Sequence, residues 1–378
     1  MTGPIEQQPN GVVVHQATDE PQDKHNIYCE FPWCPPDSRC FVYARHAPAQ
    51  APNMAELVAC EFGTWSKRTI GFASGGMTMA NGGKLYYSRT DSDGRRELVR
   101  VDLATDRSEA LSLPAGVPDY ARLDIAPGER YVAYNATLSY RPQLFGIGLA
   151  DRQTGRCEII HTDRDICNTH HQFEPGEGRL LLVQHNRGCR FTPDGKLELL
   201  VGKEGATLFL LGIPDGKVTR LQLGPPSTYS ISGHEAWIGF TKEILLTLNI
   251  PEDYDRGKGP IVGVRAGAPA REICAPWQMN HIGIEPSGRV FCADTFEPDE
   301  IIVGSPVTGR AAVVCPARTS YRRARERRAW TDSHPHAYIS PDLKWVVFNS
   351  DRTGTQQVYC AAVPPEIIAS ILPENRHS

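Results

Sequence analysis

The chain has 378 residues, 22% of them charged and 40% hydrophobic, with a formal net charge of -4 and a pI near 6.3. Such a chain has ample length for a large core, and its faintly acidic balance gives no support for binding nucleic acid or an anionic membrane surface. An acidic ligand would have to be met by local groups.

The N-terminal MTGPIEQQPNGVVVHQ lacks the basic start and apolar run of a secretory signal, and no stretch approaches the roughly 18 apolar residues of a membrane span. This reads as a cytoplasmic chain. Helical periodicity is almost absent, whereas short alternating runs rich in Val, Leu, Tyr and Phe recur between turn signals, which predicts an all-β fold. A turn followed by an apolar strand appears as CPPDSRCFVYAR from Cys34, MANGGKLYYSR from Met79, IAPGERYVAYN from Ile125 and FEPGEGRLLLVQH from Phe173. IGFTKEILLTLN from Ile238, IEPSGRVFCAD from Ile284 and ISPDLKWVVFNS from Ile339 bring the copies to seven. A second strand pair with its own polar turn follows, as in RELVRVDLATDRSEAL and DEIIVGSPVTGRAAVV. Four strands in about 45 residues is the size of one propeller blade, so the pattern predicts a seven-bladed β-propeller. One such domain would span residues 1–378, with an insertion at about 186–205 in a loop or extended hairpin and a short tail at 364–378. GVVVHQAT, near the start, is placed to close the ring by pairing into the last blade. The eleven cysteines are odd in number, scattered without a CxxC pair and often inside apolar runs, which reads as buried reduced thiols.

In a blade of this kind the segment just ahead of the turn lines the central channel. Counting back five positions from the first residue of the turn lands on His170, His234, His281 and His336 in the last four blades. In the third blade it lands on Arg122, and in the first two on no titratable group. His334, two residues ahead of His336, faces the same way if the segment is a strand. The chain has only 12 His, so agreement of four consecutive blades at one register points to a site. Protonatable rings packed together repel unless neutral, and neutral imidazoles facing one cavity suit a divalent metal. Three His would leave coordination positions open, as in a catalytic metal site, and histidine alone does not choose among Zn, Mn, Fe, Co and Ni.

The segments SGHEAWIG, NHIGIEPSGRVFCAD and SHPHAYISPDLKWVVFNSDRTGTQQVYCAAVP resemble the corresponding blades of the oligogalacturonate lyases, the polysaccharide lyase family 22 propellers. The N-terminal half matches only as generic propeller. The resemblance implies β-elimination on an acidic, uronic-acid-containing oligosaccharide, with manganese on His281, His334 and His336 and with His234 as the base. It places His170 beside the ligands or the substrate. Two positions depart from the family pattern: Thr331 stands where the family has a metal-binding Gln, and Thr207 where it has a substrate-binding Arg. Losing that guanidinium removes a bidentate carboxylate partner, for which Arg122, Arg187 or Arg190 could substitute. The basic run RTSYRRARERR, Arg318 to Arg328, is either a solvated loop or a rim that attracts an anionic sugar. Glu235 and Asp332 read first as a structural carboxylate and a turn carboxylate. Two other readings stay open. One is a metal-dependent elimination, hydration or hydrolysis of a different sugar or glycoside; the other is a non-catalytic binding propeller, since the SPD turns also resemble TolB-type repeats.

Overall fold

The computed structural model describes residues 2–22, 24–46, 54–80, 82–90, 93–249, 258–274, 279–295, 298–320 and 333–374. Among these, six four-stranded antiparallel sheets and one five-stranded sheet follow one another along the chain as the seven blades of a β-propeller. Each blade is a meander, so sequential strands pair with their neighbours and the innermost strand comes first. The exception is blade 7. It takes Tyr338–Ile339, Trp345–Ser350 and Gln357–Ala362 from the C-terminal region and adds Val13–Gln16 and Gly3–Gln7 outside them. Val13 pairs with Ala362 and Gln16 with Tyr359, so the segment GVVVHQAT does close the ring.

Both faces of a blade are covered by neighbouring blades, which explains why strands such as Cys40–His46 and Gln357–Ala362 are buried almost without alternation. The apolar residues gather in the seams. Leu182, Leu208 and Leu210 of blade 4 meet Trp237, Ile244 and Leu246 of blade 5. Phe41 and Leu57 of blade 1 share one cluster with Leu85 and Val99 of blade 2 and with Tyr338 and Val358 of blade 7. The turns are built by their own polar residues: Glu174 accepts the backbone N–H groups of Gly176, Glu177 and Gly178, and Glu285 accepts those of Ser287 and Arg289.

Between the second and third strands of blade 4, the insertion forms a two-stranded hairpin, Arg190–Phe191 with Leu197–Leu199. Within the stretch read as a tail, Pro365–Ile371 is a helix whose Ile368 and Ile371 are buried in the seam of blades 6 and 7. Seven residues are too few for a 3.6-residue period to register in the sequence. All eleven cysteines are free thiols, nine of them buried.

Candidate metal centre

Blades 5, 6 and 7 bring four imidazoles together at one mouth of the channel. His281 lies in the inner strand Met279–Ile284 and is only 3% exposed. Its ring centroid is 4.3 Å from that of His336, 4.4 Å from His234 and 5.3 Å from His334. One ring nitrogen from each of His281, His334 and His336 lies within 4.8 Å of the other two, and His334 Nδ1 is 3.4 Å from His281 Nε2. A tetrahedral metal with bonds of about 2.0–2.2 Å holds its donors roughly 3.4 Å apart, a spacing that His334 Nδ1 and His281 Nε2 already have.

The rings are set by a buried carboxylate. Asp294, on the neighbouring strand Phe291–Thr295, accepts from the backbone N–H of His281 at 3.0 Å and meets His281 Nδ1 at 2.9 Å. It also accepts the backbone N–H of His336 at 3.2 Å. A carboxylate on Nδ1 fixes the ring and its tautomer, turning Nε2 toward the other two histidines. Asn349 holds the carbonyl of His334 at 3.0 Å, and Asn26 that of His336 at 2.7 Å. Burial, then the neighbouring His281, His334 and His25, push the His336 imidazole well below its usual range. It is therefore neutral and able to ligate at neutral pH. The donor set, its spacing and the carboxylate behind it fit a divalent metal.

The histidines do not converge in the way strand alternation predicts. Residues 333–337 lie outside any strand, and His336 has φ 45°, a left-handed backbone that β-region residues avoid. His170 has φ 40° and precedes the inner strand Gln172–Phe173. His234 and His281 sit where the ladder register breaks, between Ile231 and Glu235 and between Met279 and Ile282. Gly233, at φ 87°, permits the first of these breaks. The inner edge of each of these blades is bent at its histidine, and the bend aims the ring.

Around the cluster opens a pocket of about 940 Å³ lined by His170, His234, His281, His334 and His336, by Tyr28 and by Asn168, Gln184 and Asn186. His234 Nδ1 is 3.2 Å from Ser232 Oγ. His170 Nε2 is 3.2 Å from Asn168 Nδ2, and its Nδ1 lies 3.5 Å from the buried carboxylate of Glu235. Glu235 thus faces His170 rather than turning away, because its strand is irregular at this point.

The candidate arginines are placed elsewhere. Arg122 is ion-paired with Glu30. Arg187 donates to the carbonyls of Gly205, at 2.9 Å, and Glu204, tying down the foot of the insertion. Arg190 is 65% exposed and opposes Glu198 across the hairpin. Thr207 spends its hydroxyl on the carbonyl of Leu223 at 2.9 Å. Thr331, Asp332 and Tyr321 to Arg328 lie outside the described residues.

Three contributors carry no signal in the repeat pattern. Tyr28 comes from the long irregular segment between the first two strands of blade 1, so counting back from a turn cannot find it; its ring centroid lies 4.8 Å from that of His336. Gly283 lets that segment pass, since a Cβ there would meet the Cys29 carbonyl oxygen at 2.1 Å. Lys203, on the insertion, lines the pocket and has no ion pair among the described residues. Asp294 belongs to the second strand, where the register count does not look.

No protein-family model matches the chain, and no curated protein sequence matches it at a significant level. Among solved structures, an oligogalacturonate lyase in complex with manganese is similar at 16% identity, covering 97% of each chain with a TM-score of 0.69. An oligogalacturonate lyase from Vibrio parahaemolyticus is similar at 16% identity over 97% of this chain and 98% of that one, with a TM-score of 0.70. The chain therefore shares the seven-bladed propeller fold of the oligogalacturonate lyases.

Proposed function

We propose that the chain is a metal-dependent lyase that cleaves a uronic-acid-containing oligosaccharide by β-elimination. The observation that carries this reading is the trio His281, His334 and His336 with a fourth imidazole, His234, 4.4 Å from His281 at the same pocket. In this reading His281, His334 and His336 hold a divalent ion, manganese being the one found in a structural neighbour. Such an ion supplies positive charge opposite the uronate carboxylate and so makes the C5 proton more acidic.

His234 then takes the C5 proton as the C4 glycosidic oxygen leaves, the C4–O bond breaking and a C4–C5 double bond forming. Ser232 orients its ring through Nδ1. Tyr28, whose phenol is held protonated by burial, faces the same pocket as a hydrogen-bond donor. Lys203 supplies the cation for a substrate carboxylate in place of the family's arginine. His170, kept by Asn168 and Glu235, contacts the sugar from blade 4.

Each elimination creates an unsaturated uronate that absorbs in the ultraviolet. Incubation of manganese-loaded protein with oligogalacturonate and with other uronate oligomers should produce that absorbance, and its absence from every uronate tested would sink the lyase reading. A second reading keeps the metal and changes the sugar. It is favoured by Thr207, whose hydroxyl is occupied by Leu223, so that this position offers no guanidinium to a galacturonate carboxylate. Product on a different uronate or glycoside, with none on oligogalacturonate, would select it.

A further inference from the structure

A second cluster of metal-ligating side chains lies outside the channel, beside a cleft of about 380 Å³ between blades 3 and 4 that Asp163 and His185 line. Asp163 ends the outer strand Arg156–Asp163 of blade 3, Asp165 follows it in the connection to blade 4, and His185 lies on the strand Leu180–Asn186. One donor atom from each lies within 4.8 Å of the other two. His161 and Arg220 line the same cleft, and His161 and His185 flank the ring of Phe209 at 5.2 and 5.8 Å.

His185 makes this more than an acidic pair. The residue is 9% exposed, and Nδ1 has no hydrogen-bond partner. Nε2 comes to 3.3 Å from Asp163 Oδ1 but outside hydrogen-bond alignment. An imidazole buried without satisfied nitrogens costs free energy that a ligand would recover. The carboxylates are lightly committed. Asp165 meets the Arg164 guanidinium at 3.6 Å and the Cys189 thiol at 3.7 Å, and Asp163 accepts the backbone N–H of Asp165 at 2.8 Å.

From this geometry we infer that Asp163, Asp165 and His185 form a second divalent-metal site, independent of the channel, which binds zinc. Two carboxylates offset the guanidiniums of Arg164, at 3.6 Å from Asp165, and of Arg220 in the cleft, and the imidazole selects zinc over magnesium or calcium, which take oxygen ligands. The role is positional. The connection that starts with Asp163 and Asp165 ends with Asn168 and His170 in the substrate pocket, and it is stitched to the His185 strand by Asn186 N–H to Asp165 O and Gln184 N–H to Thr169 O, both 2.7 Å. An ion on this cluster clamps the wall that carries Asn168 and His170.

The test uses full-length protein carrying His334→Ala and His336→Ala, so that the channel cluster is disabled. After chelator stripping and dialysis, zinc is titrated in against a chromophoric competitor, with circular dichroism confirming the fold. One zinc per chain is expected, with a rise in Tm on loading. Adding Asp163→Asn, which preserves volume, or His185→Ala should weaken binding at least tenfold and abolish the Tm rise. If the double variant binds no zinc, or if Asp163→Asn and His185→Ala leave its affinity unchanged, the second site does not exist. Because two of the three channel ligands are removed from these proteins, neither result depends on the lyase reading.

Discussion

The two sides of the channel wall aim different chemistry at the axis. Blades 5, 6 and 7 contribute imidazoles, of which His281 and His336 are tied to one carboxylate, Asp294. Blades 1 and 3 contribute Glu30 and Arg122, which pair with each other. Burial works against the Arg122 guanidinium, and the groups beside it, Glu30 foremost, more than offset that, so Arg122 stays charged within the pair. The Glu30–Arg122 pair has spent its charge inside the protein, while the imidazoles line the pocket. A cluster of neutral donors around a pocket suits a cation better than a charged pair closed on itself.

The largest effect should come from the ligands. His281→Ala or His336→Ala is expected to abolish manganese retention through gel filtration and to bring lyase activity to background, whereas Arg122→Met should leave metal content unchanged. Next, His234→Gln should retain full metal content and lose on the order of 10²–10⁴-fold in kcat. Loss of metal in that variant would make His234 a ligand and move the base elsewhere. Asp294→Asn keeps the shape but weakens the hold on His281 Nδ1, and metal affinity measured by chelator competition should fall about 10–100-fold.

The wall facing Arg122 gives a pH signature. His171, buried behind His170, is pushed down from 6.5 to about 3 by burial and secondarily by Arg122. Below 6.5 the unfolded chain takes up a proton that the folded chain refuses until about 3. Between these values the native state therefore loses stability as pH falls, by up to about 1.4 kcal/mol per pH unit. Denaturant unfolding of His171→Leu across this window should lack that slope. The smallest expected effect is at the rim: Lys203→Ala should raise KM roughly tenfold with kcat nearly unchanged, the sign of lost uniform binding. Arg187→Ala should alter KM less, because its guanidinium holds backbone carbonyls of the insertion.

Much of the fold was legible because turn and strand recur with one spacing, and a repeated count located the four blade histidines. The rule failed where the backbone departs from the repeat. Tyr28 lies in an irregular inner segment of blade 1, and Lys203 in an insertion with a hairpin that no other blade has among the described residues. Asp294 has no marker in the sequence, since its partners His281 and His336 are 13 and 42 residues away. The HxH pair was found for a partly mistaken reason: His334 and His336 point together through a left-handed turn of the backbone and the Asn349 and Asn26 contacts, not through strand alternation.

Anomalous scattering from a crystal of manganese-loaded protein, collected on either side of the manganese edge, tests the central claim most directly. A peak bonded to His281 Nε2, His334 and His336, with His234 nearby but not coordinating, is the predicted result. A crystal with full occupancy of manganese elsewhere and no peak among these three rings would contradict it.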